Sequence, residues 1–254
     1  MTIHLYDGIA VIRRELETDE MGRAPRKIFT NMLTIPAGDV VIWCWDGAGA
    51  KAYRQAIYPN YKANRVPQPD GVWKTIQMMQ DVLKHTKALQ VTMAGYEADD
   101  LIAHFAKDTA PEKVLIHSID RDLSALFNDR VSGTFDPPKG VAPGEVQLYK
   151  LCVGDNSDNI KGIPGFGEKT WQLVKELGML EGLRLFLNNQ TTTMDVMKQL
   201  PTKVHNWFNA EESWKTLRAM QKVISFRPLE EQPKFVVGRF NPQAGDAILQ
   251  EFML

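Results

Sequence analysis

Four short apolar runs constrain the fold more than any other feature of the sequence, because helical stretches separate them and an acidic residue follows each run closely. Short runs rich in β-branched and aromatic residues are typical of buried strands. Strands that alternate with helices indicate βαβ units and a parallel sheet. The runs lie at residues 3–6, 40–45, 89–94 and 114–119. The pattern therefore predicts an α/β fold with a mostly parallel central sheet flanked by helices.

The remaining elements follow from apolar periodicity and from helix-breaking residues. An edge strand is predicted at 131–135. Predicted helices lie at 25–33, 70–86, 97–106, 143–153, 170–177, 183–187, 194–200 and 212–224. A chain of 254 residues is long enough for one α/β domain with a smaller appendage. We assign residues 1–142 to the α/β core and residues 143–254 to a helical region packed on it.

The acids that follow the strands are expected to converge, since ligand sites of such sheets lie at the carboxyl ends of the strands. A single aspartate at a strand end is commonly only a helix cap or a turn residue. Independent caps, however, have no reason to gather at four strand ends. Carboxylates gathered in this way favour divalent cations. The acids concerned are Asp7, Asp46, Glu97, Asp99, Asp100, Asp120 and Asp122.

A second acidic site lies beside a glycine-rich turn. Asp155 and Asp158 directly precede the turn 162–167, which Lys161 and Lys169 flank. A glycine turn that runs into a helix presents backbone N–H groups suited to phosphate. The spacing approaches a nucleotide-binding P-loop, but Glu168 stands where the lysine belongs and no buried strand precedes the turn. The combination instead fits a helix-hairpin-helix that holds a DNA backbone without reading its sequence.

Residues 51–65 interleave cations with tyrosines. Such a segment can bind phosphates while a ring stacks on a base. The alternative, a solvated basic face with half-buried tyrosines, stays open on this pattern alone.

Composition excludes several other classes of protein. A net charge of −1 argues against a protein that coats nucleic acid through its overall charge. The two cysteines and five histidines show no metal-ligand spacing, which favours a reduced, cytoplasmic setting. No apolar run approaches the roughly 20 residues that span a bilayer, so no membrane partner is expected.

Four motifs in this order resemble those of the 5′-nuclease family, which includes flap endonucleases, phage 5′-exonucleases and the N-terminal nuclease domain of bacterial repair DNA polymerases. The resemblance covers roughly residues 3–178. The chain is similar to the small stand-alone members of the family, as in phages, for which the host cytoplasm is the expected location. The motifs are GDNSDNIKGIPGFGEKT at 154–170, Tyr61–Arg65, Glu97–Asp100 and Asp120-x-Asp122. This chain departs from the family at Ile9 and Ala10, where an asparagine often follows the Asp-Gly pair.

The resemblance implies a PIN-like core and a helix-three-turn-helix motif at about 154–178. It adds Asp155 and Asp158 to the acidic set, which would bind two or more Mg²⁺ or Mn²⁺ ions, and implies a K⁺ ion at the hairpin. It makes Lys62 and Arg65 catalytic, through neutralisation of charge on the phosphate. It implies DNA contacts at Arg54, Tyr61, Lys161, Gly162, Ile163, Gly165, Gly167, Lys169 and Thr170.

The implied function is that of a structure-specific 5′-nuclease, a flap endonuclease or 5′-3′ exonuclease that hydrolyses DNA by two-metal catalysis in replication or repair. The expected partners are DNA with a 5′ end, a flap or a single-strand/double-strand junction, and RNA–DNA hybrid, bound by a monomer. Two alternatives stay open. One is a non-catalytic, structure-specific DNA-binding protein, and the other is a PIN-like ribonuclease that would not need the glycine turn.

Overall fold

The computed structural model describes residues 1–19, 22–109, 111–188 and 198–252. The chain divides into two compact units, and each is built from separate stretches of sequence. Unit 1 contains residues 1–53, 66–144 and 226–254, and unit 2 contains residues 54–65 and 145–225. The division into a nuclease core and a DNA-binding helical region stays a prediction.

Unit 1 is organised around a six-stranded sheet in the order β5-β4-β1-β2-β3-β6. The first five strands are parallel to their neighbours, which confirms the mostly parallel sheet. The strands are β1 Thr2–Asp7, β2 Val40–Trp45, β3 Leu89–Thr92, β4 Lys113–His117, β5 Val131–Gly133 and β6 Phe235–Val237. Strand β6 was not predicted. It pairs antiparallel with β3, and its three side chains are exposed, so it lacks the buried pattern by which strands are recognised.

The helices of the described residues reproduce most of the predicted ones and add four more. They are α1 Gly8–Glu17, α2 Ala24–Thr34, α3 Ala52–Ile57, α4 Asp70–Leu83, α5 Ala98–Asp108, α6 Val146–Val153, α7 Glu168–Glu176, α8 Leu180–Leu187, α9 Thr202–Phe208, α10 Glu211–Ile224 and α11 Pro242–Phe252. Helices α1, α3, α9 and α11 were not predicted. The helix predicted at 194–200 falls mostly outside the described residues. Across the described ranges, no helix combines the length and apolar character needed to cross a bilayer.

The two faces of the sheet build two separate hydrophobic cores. On one face Leu5 and Ile116 pack with Leu101 of α5. On the other face Trp43 packs with Ile12 of α1 and Met79 of α4. Because successive side chains of a strand point to opposite faces, β1 and β2 supply both cores. The strands are thereby fixed in register, and so are the residues that follow them.

A row of aromatic side chains crosses the second face. The Tyr6 ring stacks on Trp43, with centroids 4.7 Å apart, and on His117, with centroids 4.0 Å apart. His117 also hydrogen-bonds through Nε2 with Nδ1 of His4, at 3.0 Å. Burial, and secondarily the neighbouring His4, lowers the pKa of His117 to about 4. This imidazole is therefore neutral at physiological pH.

Candidate functional site

Seven of the predicted acids belong to unit 1, where they end or follow β1, β2, β3 and β4. We call these residues the acid cluster: Asp7, Asp46, Glu97, Asp99, Asp100, Asp120 and Asp122. Asp7 is the last residue of β1 and caps α1, because its Oδ1 accepts a hydrogen bond from the Ala10 amide at 3.2 Å. Its Oδ2 accepts one from the hydroxyl of buried Ser118 at 2.9 Å. Asp7 is thus held from two sides.

The charges of three cluster members act on one another. Burial, followed by the charges of Asp46 and Asp120, raises the pKa of Asp7 to about 7 against the lowering effect of the hydrogen bonds from Ala10 and Ser118. At Cys44, burial and then the charges of Asp7 and Asp99 hold the thiol pKa well above its ordinary value. The charges of Asp7, Asp46, Asp99 and Asp120 thus act on one region of unit 1, and their arrangement as a metal site stays a prediction.

Hydrogen bonds fix the beginning of α5 against the same side of the sheet. Asp46 Oδ1 accepts from the Ala98 amide at 2.8 Å. Glu97 and Asp100 form a capping box, with the Glu97 amide donating to Asp100 Oδ2 at 3.3 Å. Asp100 is 1% exposed, and its Oδ1 accepts from the Arg227 amide at 2.7 Å. Asp100 therefore has an observed anchoring role, while its role as a metal ligand stays a prediction.

Asp120 and Asp122 are positioned by a short 3₁₀ helix, Arg121–Leu126. Asp120 Oδ1 caps this helix by accepting from the Asp122 amide at 2.9 Å. The Asp120 amide donates to the hydroxyl of Ser118 at 3.0 Å, and the same hydroxyl bonds Asp7. Ser118 thus links the ends of β1 and β4.

The cluster fits a divalent cation on two grounds. Its side chains offer oxygen ligands, which Mg²⁺ and Mn²⁺ prefer. In addition, the buried Asp7 carboxyl resists ionisation beside Asp46 and Asp120, and a cation between such groups would favour their charged forms.

Unit 2 holds Asp155 and Asp158 in a network with basic side chains. Lys150, only 5% exposed, places Nζ 2.8 Å from Asp155 Oδ2 and 2.7 Å from Asp158 Oδ2. Arg65 donates to Asp158 Oδ1 at 2.7 Å, and Lys62 Nζ lies 3.9 Å from the same oxygen. Burial alone would raise the pKa of Asp158, but these cations bring it below its ordinary value. Both carboxylates are thus ionised, and their role as metal ligands stays a prediction.

Lys62 is held in an uncommon backbone conformation, with φ of 53°. Its amide donates to the Asp158 carbonyl at 2.9 Å, and its ammonium lies 4.9 Å from the centre of the Tyr61 ring. Tyr61 is only 3% exposed. The ring is buried beneath its own neighbours, as in the alternative of half-buried tyrosines, and a DNA contact of Tyr61 stays a prediction.

Arg54 is also buried, at 4% exposed, and its role as a DNA contact stays a prediction. Its Nε donates to the Val223 carbonyl at 3.0 Å and its Nη2 to the Ser225 carbonyl at 3.2 Å. These carbonyls lie at the C-terminal end of α10, where a cation also complements the helix dipole. Arg54 therefore closes unit 2 rather than facing solvent.

Replacing Arg54 with methionine should destabilise the protein by about 2–4 kcal/mol, because two carbonyls lose a charged donor. Thermal unfolding measures the loss. DNA affinity, measured well below the unfolding transition, should stay within about twofold, the range expected of a residue that does not touch DNA. Lys51→Met, at an exposed position, is the matched control. A large loss of affinity in folded Arg54→Met protein would support the DNA-contact prediction.

The glycine turn lies between α6 and α7, as predicted. Gly162 has φ of 67°, and a Cβ there would lie 2.5 Å from the Gly154 nitrogen, so a side chain is excluded. The turn buries some predicted DNA contacts and exposes others. Gly162, Ile163 and Thr170 are buried, and the Ile163 amide donates to the Cys152 carbonyl. Their contacts with DNA stay predictions. Lys161, Gly165, Gly167 and Lys169 are exposed. The helix-three-turn-helix assignment stays a prediction.

Sequence reasoning missed Lys150, Ser118 and Arg227. Lys150 was detectable as the one cation within an otherwise apolar segment of α6, five residues before Asp155. Ser118 was detectable as a polar residue between β4 and Asp120. Arg227 gave no signal, because its guanidinium lies 4.3 Å from the Tyr53 ring centre and 4.0 Å from that of Tyr96, contacts that only the tertiary fold creates.

Comparisons with known proteins agree with this geometry. Residues 21–146 match the family described as 5′-3′ exonuclease, N-terminal resolvase-like domain. The chain is 35% identical over 160 residues to the thermostable DNA polymerase I of Thermus thermophilus, covering 58% of this chain and 19% of that protein. It is 33% identical over 161 residues to the 5′-3′ exonuclease of Bacillus subtilis strain 168, covering 56% of this chain and 54% of that protein. The chain thus spans about half or less of the length of these relatives.

Solved structures share the fold at lower identity. T5 5′-exonuclease with bound zinc matches with a TM-score of 0.63 and 17% identity, over 88% of this chain and 89% of that one. The catalytic core of Rad2 in complex with DNA substrate matches with a TM-score of 0.58 and 12% identity, over 98% and 86%. At these identities the likeness establishes the fold.

Proposed function

We propose that this chain, whose residues 21–146 match the family described as 5′-3′ exonuclease, N-terminal resolvase-like domain, is a structure-specific 5′-nuclease acting on DNA. The substrate class is DNA with a 5′ end, a flap or a junction of single and double strands. The reaction is hydrolysis of a phosphodiester bond. The observation that carries the proposal is the convergence of Asp7, Asp46 and Asp120 at the carboxyl ends of three strands.

Divalent ions bound at such a site, Mg²⁺ or Mn²⁺, activate a water molecule near neutral pH and stabilise the leaving oxygen. The acid cluster would hold these ions, with Ser118 and the α5 cap fixing its orientation. Asp155 and Asp158 are proposed as further ligands. Lys62 and Arg65 would neutralise charge on the reacting phosphate, as preorganised cations do.

The exposed part of the glycine turn is proposed to hold the phosphate backbone of a duplex. Lys161 and Lys169 supply charge, while Gly165 and Gly167 leave the backbone open at the beginning of α7. Such contacts carry no base information, so the enzyme would recognise structure rather than sequence. A K⁺ ion bound by turn carbonyls belongs to the same proposal.

The decisive experiment compares a labelled 5′-flap, a nicked duplex and an RNA–DNA hybrid in one cleavage assay, with Mg²⁺ and with EDTA. We expect metal-dependent cleavage near the 5′ end of the flap substrate. Binding without cleavage would favour a non-catalytic DNA-binding protein. Cleavage of single-stranded RNA alone would favour a PIN-like ribonuclease.

Asp7→Asn tests the metal site separately from catalysis. In EDTA this variant should be about 1–2 kcal/mol more stable than wild type, because it removes a buried carboxylate from beside Asp46 and Asp120. In wild type, Mg²⁺ at a hundred times its dissociation constant should add about 2.7 kcal/mol of stability. The variant should lose most of this gain. An equal Mg²⁺-dependent rise in Tm for both proteins would place the metal elsewhere.

A further inference from the structure

A cavity of about 350 Å³ lies in unit 1, between the aromatic row of the sheet and helices α1 and α2. We name it the α1–α2 cavity. Its wall runs from exposed Arg14 and Asn31 to buried Tyr6 and Ser118. The volume lies within the range of small-molecule sites. Apart from Ser118, which only supports Asp7, its lining residues have no part in the proposed nuclease chemistry.

The inner end of the cavity offers polar atoms that the protein leaves unused. Tyr6 is 8% exposed, and no hydrogen bond within the described residues occupies its hydroxyl. His4 Nε2 is buried without a hydrogen-bond partner among the described residues, at 3.5 Å from Asp39 Oδ2. Buried polar atoms of this kind cost stability unless something bonds them. Of these two atoms only His4 Nε2 is sealed from solvent, and the Tyr6 hydroxyl beside it adds a second polar group at the inner end of the cavity. This end therefore suits a ligand with polar groups.

The charges of the lining are distributed unevenly. The inner end carries a phenol, the neutral imidazole of His117 and the hydroxyl of Ser118. The outer end carries the guanidinium of Arg14. Glu15 also lines the cavity, but Lys27 Nζ balances its charge at 2.6 Å. The complementary ligand has an uncharged polar body and an anionic end.

We propose that the α1–α2 cavity binds a nucleoside 5′-monophosphate, with the base at Tyr6 and His4 and the phosphate at Arg14. The cavity also reaches Ser118, which donates to Asp7 Oδ2. An occupant there contacts a residue that supports the acid cluster. The link between this ligand and the acid cluster rests on the proposed function, since exonucleolytic hydrolysis releases nucleotides and the ligand would then be a product of the reaction.

The test is calorimetric titration of the full chain in EDTA, so that neither metal nor cleavage is needed. The probes are deoxyadenosine 5′-monophosphate, deoxyadenosine and inorganic phosphate. We expect the monophosphate to bind most tightly. Arg14→Gln should weaken it about tenfold and leave deoxyadenosine unchanged. Tyr6→Phe should weaken both about fivefold through loss of one hydrogen bond.

Arg13→Gln is the matched control, because Arg13 neighbours Arg14 but pairs with Glu17 at 3.5 Å and does not line the cavity. Its affinity should equal that of wild type. The proposal fails if wild type shows no binding of the monophosphate at millimolar concentration, if both arginine variants lose affinity equally, or if inorganic phosphate binds as tightly as the nucleotide. Binding by a chain that cleaves no DNA would overturn the nuclease proposal while leaving this one standing.

Discussion

Asp120→Asn should abolish flap cleavage, with turnover in Mg²⁺ falling by at least about a thousandfold. The physical reason is that Asp120 shares its surroundings with Asp7 and Asp46 and that asparagine, being neutral, cannot balance a divalent cation there. DNA affinity should stay equal or rise, because a negative charge is lost near a polyanion. Asparagine keeps the side-chain oxygen that caps the 3₁₀ helix, so the fold should survive.

Single-turnover cleavage and equilibrium binding to the same labelled flap separate the two effects. Asp129→Asn, an exposed acid in the following loop, is the matched control and should behave as wild type. Cleavage by Asp120→Asn at the wild-type rate would remove the acid cluster from the reaction.

Lys62→Ala should lower turnover about a hundredfold while changing duplex affinity little. Lys62 has a special environment, with a positive φ, 8% exposure and an ammonium between the Tyr61 ring and Asp158. A lysine held so rigidly supplies preorganised charge, whereas exposed lysines such as Lys161 and Lys169 supply general affinity. The variant keeps Lys150 and Arg65 on Asp158, so unit 2 should remain folded.

The measurement is a saturation curve for a flap substrate, which separates kcat from KM. Lys51→Ala, at an exposed position in the same basic segment, should leave kcat intact. Equal losses of affinity and turnover in Lys62→Ala would instead assign Lys62 to DNA binding alone.

The core of the fold was predictable because local pattern and tertiary structure agree there. The runs at β1, β2 and β4 are apolar enough to be recognised, and their register brings Asp7 and Asp46 to one side of the sheet. Ser118 and the α5 cap lie at the same edge because each follows its strand closely in sequence. The sequence pattern therefore predicted at which edge of the sheet the acids lie, because parallel strands have their carboxyl ends at the same edge.

The burial of individual side chains was not predictable where it depends on distant partners. In sequence, Arg54 and Tyr61 resemble exposed residues that contact DNA. In the structure, buried Arg54 donates hydrogen bonds to the carbonyls of residues 223 and 225. The cationic groups of Arg54 and Lys62 lie over the ring of Tyr61. Strand β6 escaped prediction for a related reason. Its place is set by pairing with β3, far away in sequence, and not by a pattern of its own.

The late position of β6 and Arg227 also bears on synthesis. A nascent chain that has emerged only to α10 presents β3 as an open sheet edge, since its partner strand is still to be made. The Asp100 carboxyl likewise lacks the amide of Arg227 at that moment. The ribosome therefore releases Asp100 well before the segment that anchors it, and this edge of the sheet should mature only once residues 227–237 have been made.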